Sequence, residues 1–274
     1  MAEAIQLEHT DPNAVALDQI DVSRPELMQT DTHWGYFARL RAEDPVHYCA
    51  DSFFGPYWSI TKFNDIMEIE KDHQTFSSNE SITLAERPSD FETTNFIAMD
   101  PPKHDVQRKT VQGVVAPMNL AKLEGTIRER AQKILDSVPV GETFDWVDHV
   151  SIELTTQMLA TIFDFPFEDR RKLTYWSDMA TSGELAGGPT PEPVRRAALL
   201  ECLDYFTRLK QERLQQEPKP DLLSMLAHGK DTQNIPPMEF LGNLILLIVG
   251  GNDTTRNSIS GGVLAPVSYT HLRA

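Results

Sequence analysis

With 274 residues, 40% of them hydrophobic and 24% charged, the chain has an ordinary globular composition and enough length to bury a sizeable core. A net charge of −16 with no basic stripe excludes nucleic acid as the expected partner, and two distant cysteines, Cys49 and Cys202, give neither a disulfide framework nor a metal-ligand spacing. The acidic N-terminal stretch is not expected to be a targeting leader, and the longest apolar run, Leu244 to Val249, falls far short of the roughly 20 residues that span a bilayer. A cytoplasmic protein with no membrane span is expected.

The first predicted helix lies in "HWGYFARLRAEDP" and stops at Pro45. "VHYC" and "YWSIT" read as two short strands around a turn at Gly55-Pro56, one hairpin in all. "KFNDIMEIEKDHQTFSS" returns to helical spacing through Phe63, Ile66 and Met67. Residues 77–100 show no period and read as a long loop, the kind that is often functional. Pro101-Pro102 sits where proline suits a first helical turn and opens "KHDVQRKTVQGVVA".

Helical stretches follow at 118–137, 149–163, 167–181, 193–216 and 237–265, with "SGELAGGPTPEP" as a Gly/Pro loop and "ETFDWV" as a single strand. No internal repeat is present. The expected fold is mainly α with a small N-terminal β element.

The long helix carries the chemistry. "LILLIV" is apolar on every side and implies burial all round. Gly250-Gly251 then interrupts it, although each mid-helix glycine costs roughly 1 kcal/mol relative to alanine. Either the glycines allow close helix packing, or they let something large and flat lie against the backbone. Thr254, four residues after Gly250, is placed to bond the Gly250 carbonyl. Asp253 beside it either does chemistry or pairs with Arg256 one turn later.

"GGNDTT" in such a helix resembles the oxygen-activating signature of cytochrome P450, Ala/Gly-Gly-x-Asp/Glu-Thr-Thr. "MDPPKHDVQR", residues 99–108, resembles the start of that family's C helix, and "TFSS" at 75–78 matches the usual end of its B helix. The order of hairpin, B helix, long loop, C helix, F–G loop and I helix is similar to the family across residues 30–265. Within the family, the text of the two motifs looks most like the bacterial CYP153 class, which hydroxylates the terminal carbon of alkanes and fatty acids. Steroid- and terpenoid-oxidising relatives carry similar text.

The resemblance implies a haem b cofactor and assigns roles. His104 and Arg108, at i and i+4, would donate to haem carboxylates, and Gly250 and Gly251 would leave a groove for oxygen over the ring. Thr254 would position the oxygen and an ordered water, while Asp253 relays protons from outside. Leu246 and Val249 would present apolar surface to an apolar substrate. NAD(P)H-dependent ferredoxin reductase and a ferredoxin are the implied partners.

The family's thiolate loop, Phe-x-x-Gly-x-x-x-Cys-x-Gly, is missing, so no metal ligand is assigned. Residues 1–265 are therefore expected to be the N-terminal part of a single, C-terminally truncated P450 domain, inactive alone. Pro266 is expected to break the helix and open a non-native tail, residues 266–274. A steroid- or terpenoid-oxidising P450 is the alternative enzyme. A helical module using residues 243–263 as a partner interface is the alternative outside enzymes.

Overall fold

Ten α-helices and one two-stranded sheet form the regular structure of the described residues, which in this computed structural model are 11–79, 81–84 and 89–268. Contacts divide the chain into two units, Met1–Glu86 and Arg87–Ala274. No helix among the described residues is long and apolar enough to cross a membrane.

The first unit holds helices α1 (Pro25–Gln29), α2 (His33–Glu43) and α3 (Phe63–Lys71) and an antiparallel hairpin of β1 (Val46–Cys49) and β2 (Tyr57–Ile60). Val46 pairs with Ile60 and Cys49 with Tyr57. The connecting turn needs Gly55, whose φ is +82°, a region costly for any residue with a Cβ. Ile20, Leu27, Tyr36 and Leu40 form the core. Two polar groups are satisfied inside it. His47 bonds Asp44 at 2.8 Å and the Ile20 carbonyl at 2.9 Å, and the Tyr57 hydroxyl donates to Asp21 at 2.7 Å.

The second unit holds α4 (Lys103–Gln112), α5 (Pro117–Asp136), a π-helical turn (Val147–Ile152) running into α6 (Glu153–Phe163), α7 (Arg171–Thr181), α8 (Glu192–Leu214), α9 (Leu222–His228) and α10 (Pro237–Ser268). Its core centres on Phe163, Phe165, Trp176 and Phe206, whose rings meet at centroid distances of 5.4 to 6.1 Å. Helix α10 packs on α6, α7 and α8, and Leu241, Leu244 and Ile248 are wholly buried there. Burying each such side chain contributes about 1.5–3 kcal/mol, which anchors the first half of α10 and, because a helix is stiff, orients the "GGNDTT" turn beyond it.

Four expectations change. "ETFDWV" forms no strand. It finds no partner strand, and Asp145 instead opens the next helical turn by accepting from the Asp148 amide (3.1 Å) and, through its carbonyl, the His149 amide (3.0 Å). Helix α4 starts at Lys103, with Pro102 at its N-cap, and ends at Gln112, because Asn119 takes the Gly113 carbonyl at 2.6 Å. Helix α9 was not foreseen, although Asp221 caps it by accepting from the Ser224 amide at 2.7 Å. Helix α10 does not break at Pro266. It runs to Ser268, and the proline removes only the backbone bond to Gly262. Residues 269–274 of the expected tail, and residues 80 and 85–88 of the expected loop, lie outside the described residues.

Candidate active site

Helix α10 stays α-helical through "GGNDTT", so the two glycines do not interrupt the backbone. They do different things. A Cβ on Gly251 would lie 2.7 Å from Leu159 Cδ1, so this glycine lets α6 approach. A Cβ on Gly250 would meet nothing within 4 Å. Close packing accounts for Gly251, whereas no neighbour within 4 Å accounts for Gly250. Thr254 Oγ1 donates to the Gly250 carbonyl at 2.7 Å, and the Thr254 side chain is exposed.

Gly250 borders an open-sided cavity of about 350 Å³ lined by residues of α4, α6 and α10, the first residue of α9 and the segment before α4. Its walls are apolar, with Phe96, Val111, Leu159, Leu222, Leu246 and Leu247 prominent, and Arg108 and Gln112 are its polar members. Leu246 and Gly251 line this space, whereas Val249, Asp253 and Thr254 are not among its walls. Arg108 makes no hydrogen bond or ion pair with a described residue. A guanidinium at the wall of an apolar slot is a ready partner for an anionic group on a mainly apolar guest.

His104 is already engaged on one side. Its Nδ1 lies 2.7 Å from the Phe96 carbonyl, which only accepts, so Nδ1 carries the proton. This bond belongs to a network, buried at Gln107 and Asn243 and open to solvent at Lys103, that sequence reasoning missed. Lys103 donates to Glu239 at 2.7 Å, Gln107 donates to Glu239 at 2.6 Å, and the Asn243 amide donates to Gln107 at 2.9 Å. The Phe96 amide in turn donates to Asn243 Oδ1 at 2.9 Å. Gln107 and Asn243 are almost wholly buried. A signal for both existed. Gln107 lies one turn before Val111 on the inward face of α4, and Asn243 opens the most apolar run in the chain; amides so placed need partners.

Asp253 faces α7 rather than an apolar surrounding. Its Oδ1 accepts from Arg256 at 2.8 Å, Ser177 at 3.1 Å and Asn252 at 3.4 Å, and Arg256 also reaches Asp178 at 3.1 Å. The pairing with Arg256 expected as one alternative is therefore present, and it forms part of a clamp between α7 and α10.

Neither cysteine is among the residues that line the slot. Cys202 is wholly buried among the second unit's core residues, and burial pushes its thiol well above the usual range. Cys49 is buried in the first unit, and burial followed by the Asp21 charge raises its thiol too. Thiolate reactivity follows accessible, depressed-pKa sulfur. Both thiols are expected to resist Ellman's reagent in the native chain and to react at once in guanidinium. Fast labelling of a native thiol would contradict this burial.

No protein-family model matches the chain. Solved structures do: cytochrome P450-153 from Novosphingobium aromaticivorans is similar at 42% identity with a TM-score of 0.83, and CYP153D17 from Sphingomonas at 46% with a TM-score of 0.82. Each match covers 92% of this chain and 64% of the other. Linalool 8-monooxygenase from Pseudomonas putida is 30% identical over 258 residues, 89% of this chain and 63% of the relative. The chain thus spans less than two thirds of the length of these relatives. It belongs to the cytochrome P450 family, whose relatives here are enzymes and whose mainly helical fold it shares. Within that family it is similar to the CYP153 structures.

Haem is the family's cofactor, and the residues present fit one side of it. The slot is apolar, Gly250 leaves room where a side chain would stand, and Arg108 is free to meet an acidic edge. No cysteine is among the residues that line the slot.

Proposed function

We propose that this sequence, at the full length of its relatives, is a cytoplasmic haem-thiolate monooxygenase that hydroxylates an apolar substrate, the terminal carbon of an alkane or fatty acid. The observation that carries the reading is the apolar slot against Gly250 with an unpaired Arg108 in its wall. Haem, when bound, supplies the oxidising chemistry. Arg108 and His104 would hold its carboxylates by charge-assisted hydrogen bonds. Gly250 and Gly251 border the slot, Gly250 keeping the α10 backbone accessible from it; Leu246 offers the substrate apolar contact from its wall, and Val249 would offer the same from α10 outside that wall. Thr254 orders a water at the Gly250 turn, and Asp253 delivers a proton to it after exchanging its Arg256 contact. Electrons come from NAD(P)H through a ferredoxin reductase and a ferredoxin.

The similarity to linalool 8-monooxygenase favours one other reading, a terpenoid-oxidising enzyme. A chimera decides between them. Residues 1–265 joined to the remaining C-terminal segment of the Sphingomonas CYP153D17 are assayed with a ferredoxin system on alkanes, fatty acids and linalool. Terminal hydroxylation of the linear substrates is expected, with the carbon monoxide difference band of a thiolate-ligated haem. Oxidation of linalool alone would favour the terpenoid reading, and absence of the haem band would overturn both.

A further inference from the structure

We infer that Asn243 is a positioning residue for the cofactor edge of the slot, acting through the Phe96 backbone on the His104 ring. The inference rests on the reading of His104 as a contact to a cofactor carboxylate.

The geometry forms a closed circuit. Asn243 and Glu239 stand one turn apart on α10, and Lys103 and Gln107 stand one turn apart on α4. Their side chains alternate, Lys103 to Glu239 to Gln107 to Asn243. From Asn243 the path crosses to the Phe96 amide, and from the Phe96 carbonyl back to His104, the neighbour of the lysine where it began. Phe96 is therefore gripped at both ends of its own residue, and its side chain is a wall of the slot.

One step away, Gly242 admits this segment against the helix. A Cβ there would lie 2.1 Å from the Thr94 carbonyl oxygen. Gly242 sets the distance and Asn243 sets the register.

The chemical consequence falls on His104. With Nδ1–H committed to the Phe96 carbonyl, Nε2 is the ring atom left for a ligand, and donating to a carboxylate from it takes the doubly protonated ring. An oriented partner on the far nitrogen is how proteins fix which ring atom meets a ligand. A buried amide that merely stiffened two helices would leave that choice alone.

The test uses the whole chain, Asn243→Ala, His104→Ala and the double variant. In the unmodified chain the Phe96 amide should be among the slowest to exchange hydrogen between residues 91 and 102, and the His104 ring should carry its proton on Nδ1 by nitrogen NMR. Asn243→Ala should speed Phe96 exchange by about tenfold, the equivalent of one ordinary hydrogen bond, and shift the ring toward the Nε2–H form. Hemin, titrated by its Soret absorbance, should bind more weakly to Asn243→Ala, and this loss should vanish in the His104→Ala background.

An unmodified chain whose neutral His104 ring carries its single proton on Nε2 overturns the inference, even if Asn243→Ala fails to fold. So does a cooperatively melting Asn243→Ala variant with an unchanged ring and unchanged Phe96 exchange. If exchange and ring respond but hemin binding ignores His104→Ala, the clamp stands and the cofactor role of His104 falls.

Discussion

Gly242→Val is expected to destabilise the chain by about 3 kcal/mol, at the upper end of what overpacking a core costs, read as a lower midpoint in urea. The neighbour is what makes it severe. The new Cβ would stand 2.1 Å from the Thr94 carbonyl oxygen and 2.7 Å from its carbon, both backbone atoms that no rotamer change can move aside. Relief requires the 94–96 segment to lift, which also strips Asn243 of the Phe96 amide. Gly250→Ala, eight residues along the same helix, should do the opposite. Its Cβ meets nothing, so the helix gains about 0.5–1 kcal/mol from the better former. Equal effects at the two positions would mean that close approach, rather than propensity, has been misjudged at Gly242.

Asp253→Asn, in the chimera completed to full length, is expected to lower turnover by about 100-fold, the lower range for loss of a positioned acid–base group. Stability should hardly change. An amide oxygen still accepts from Ser177 and Arg256, and Arg256 keeps its second carboxylate, Asp178. What the variant lacks is a group able to take up and release a proton. Steady-state product formation, with the melting curve as control, separates the two roles. An undiminished rate would leave Asp253 as a structural clamp between α7 and α10, which its three partners already make it.

Periodicity served the long helices well because burial on one face leaves a repeating mark. The stretches at 118–137, 193–216 and 237–265 correspond to α5, α8 and α10 with small changes at their ends. Short elements left weaker marks. Helix α9 is only Leu222–His228, and its Asp221 cap was legible but too brief a pattern to outweigh the surrounding loop. "ETFDWV" has strand-like residues, but strands exist by pairing, and partnership over long separation is invisible in a local window.

The site divides in the same way. The family resemblance, rather than spacing alone, singled out Gly250, Leu246 and Arg108, residues that line one cavity although more than a hundred positions separate Arg108 from the others. It did not separate the two glycines, because a packing contact with Leu159 and an open face look identical in text. Nor did it reveal that His104 spends one nitrogen on Phe96, or that Asn243 and Gln107 meet. Those facts depend on which helix faces which, and only the fold supplies them.

The 2.7 Å bond from Thr254 to Gly250 has a directional consequence. A hydroxyl owns one proton, and here the carbonyl four residues back already holds it. A molecule arriving over this turn therefore meets lone pairs and must bring its own hydrogen, as water does and a bare acceptor does not. To donate outward, the side chain must first swing off the carbonyl and leave that oxygen exposed for the same visitor. The turn thus only accepts when closed, and when open it donates through the hydroxyl while the Gly250 carbonyl accepts beside it.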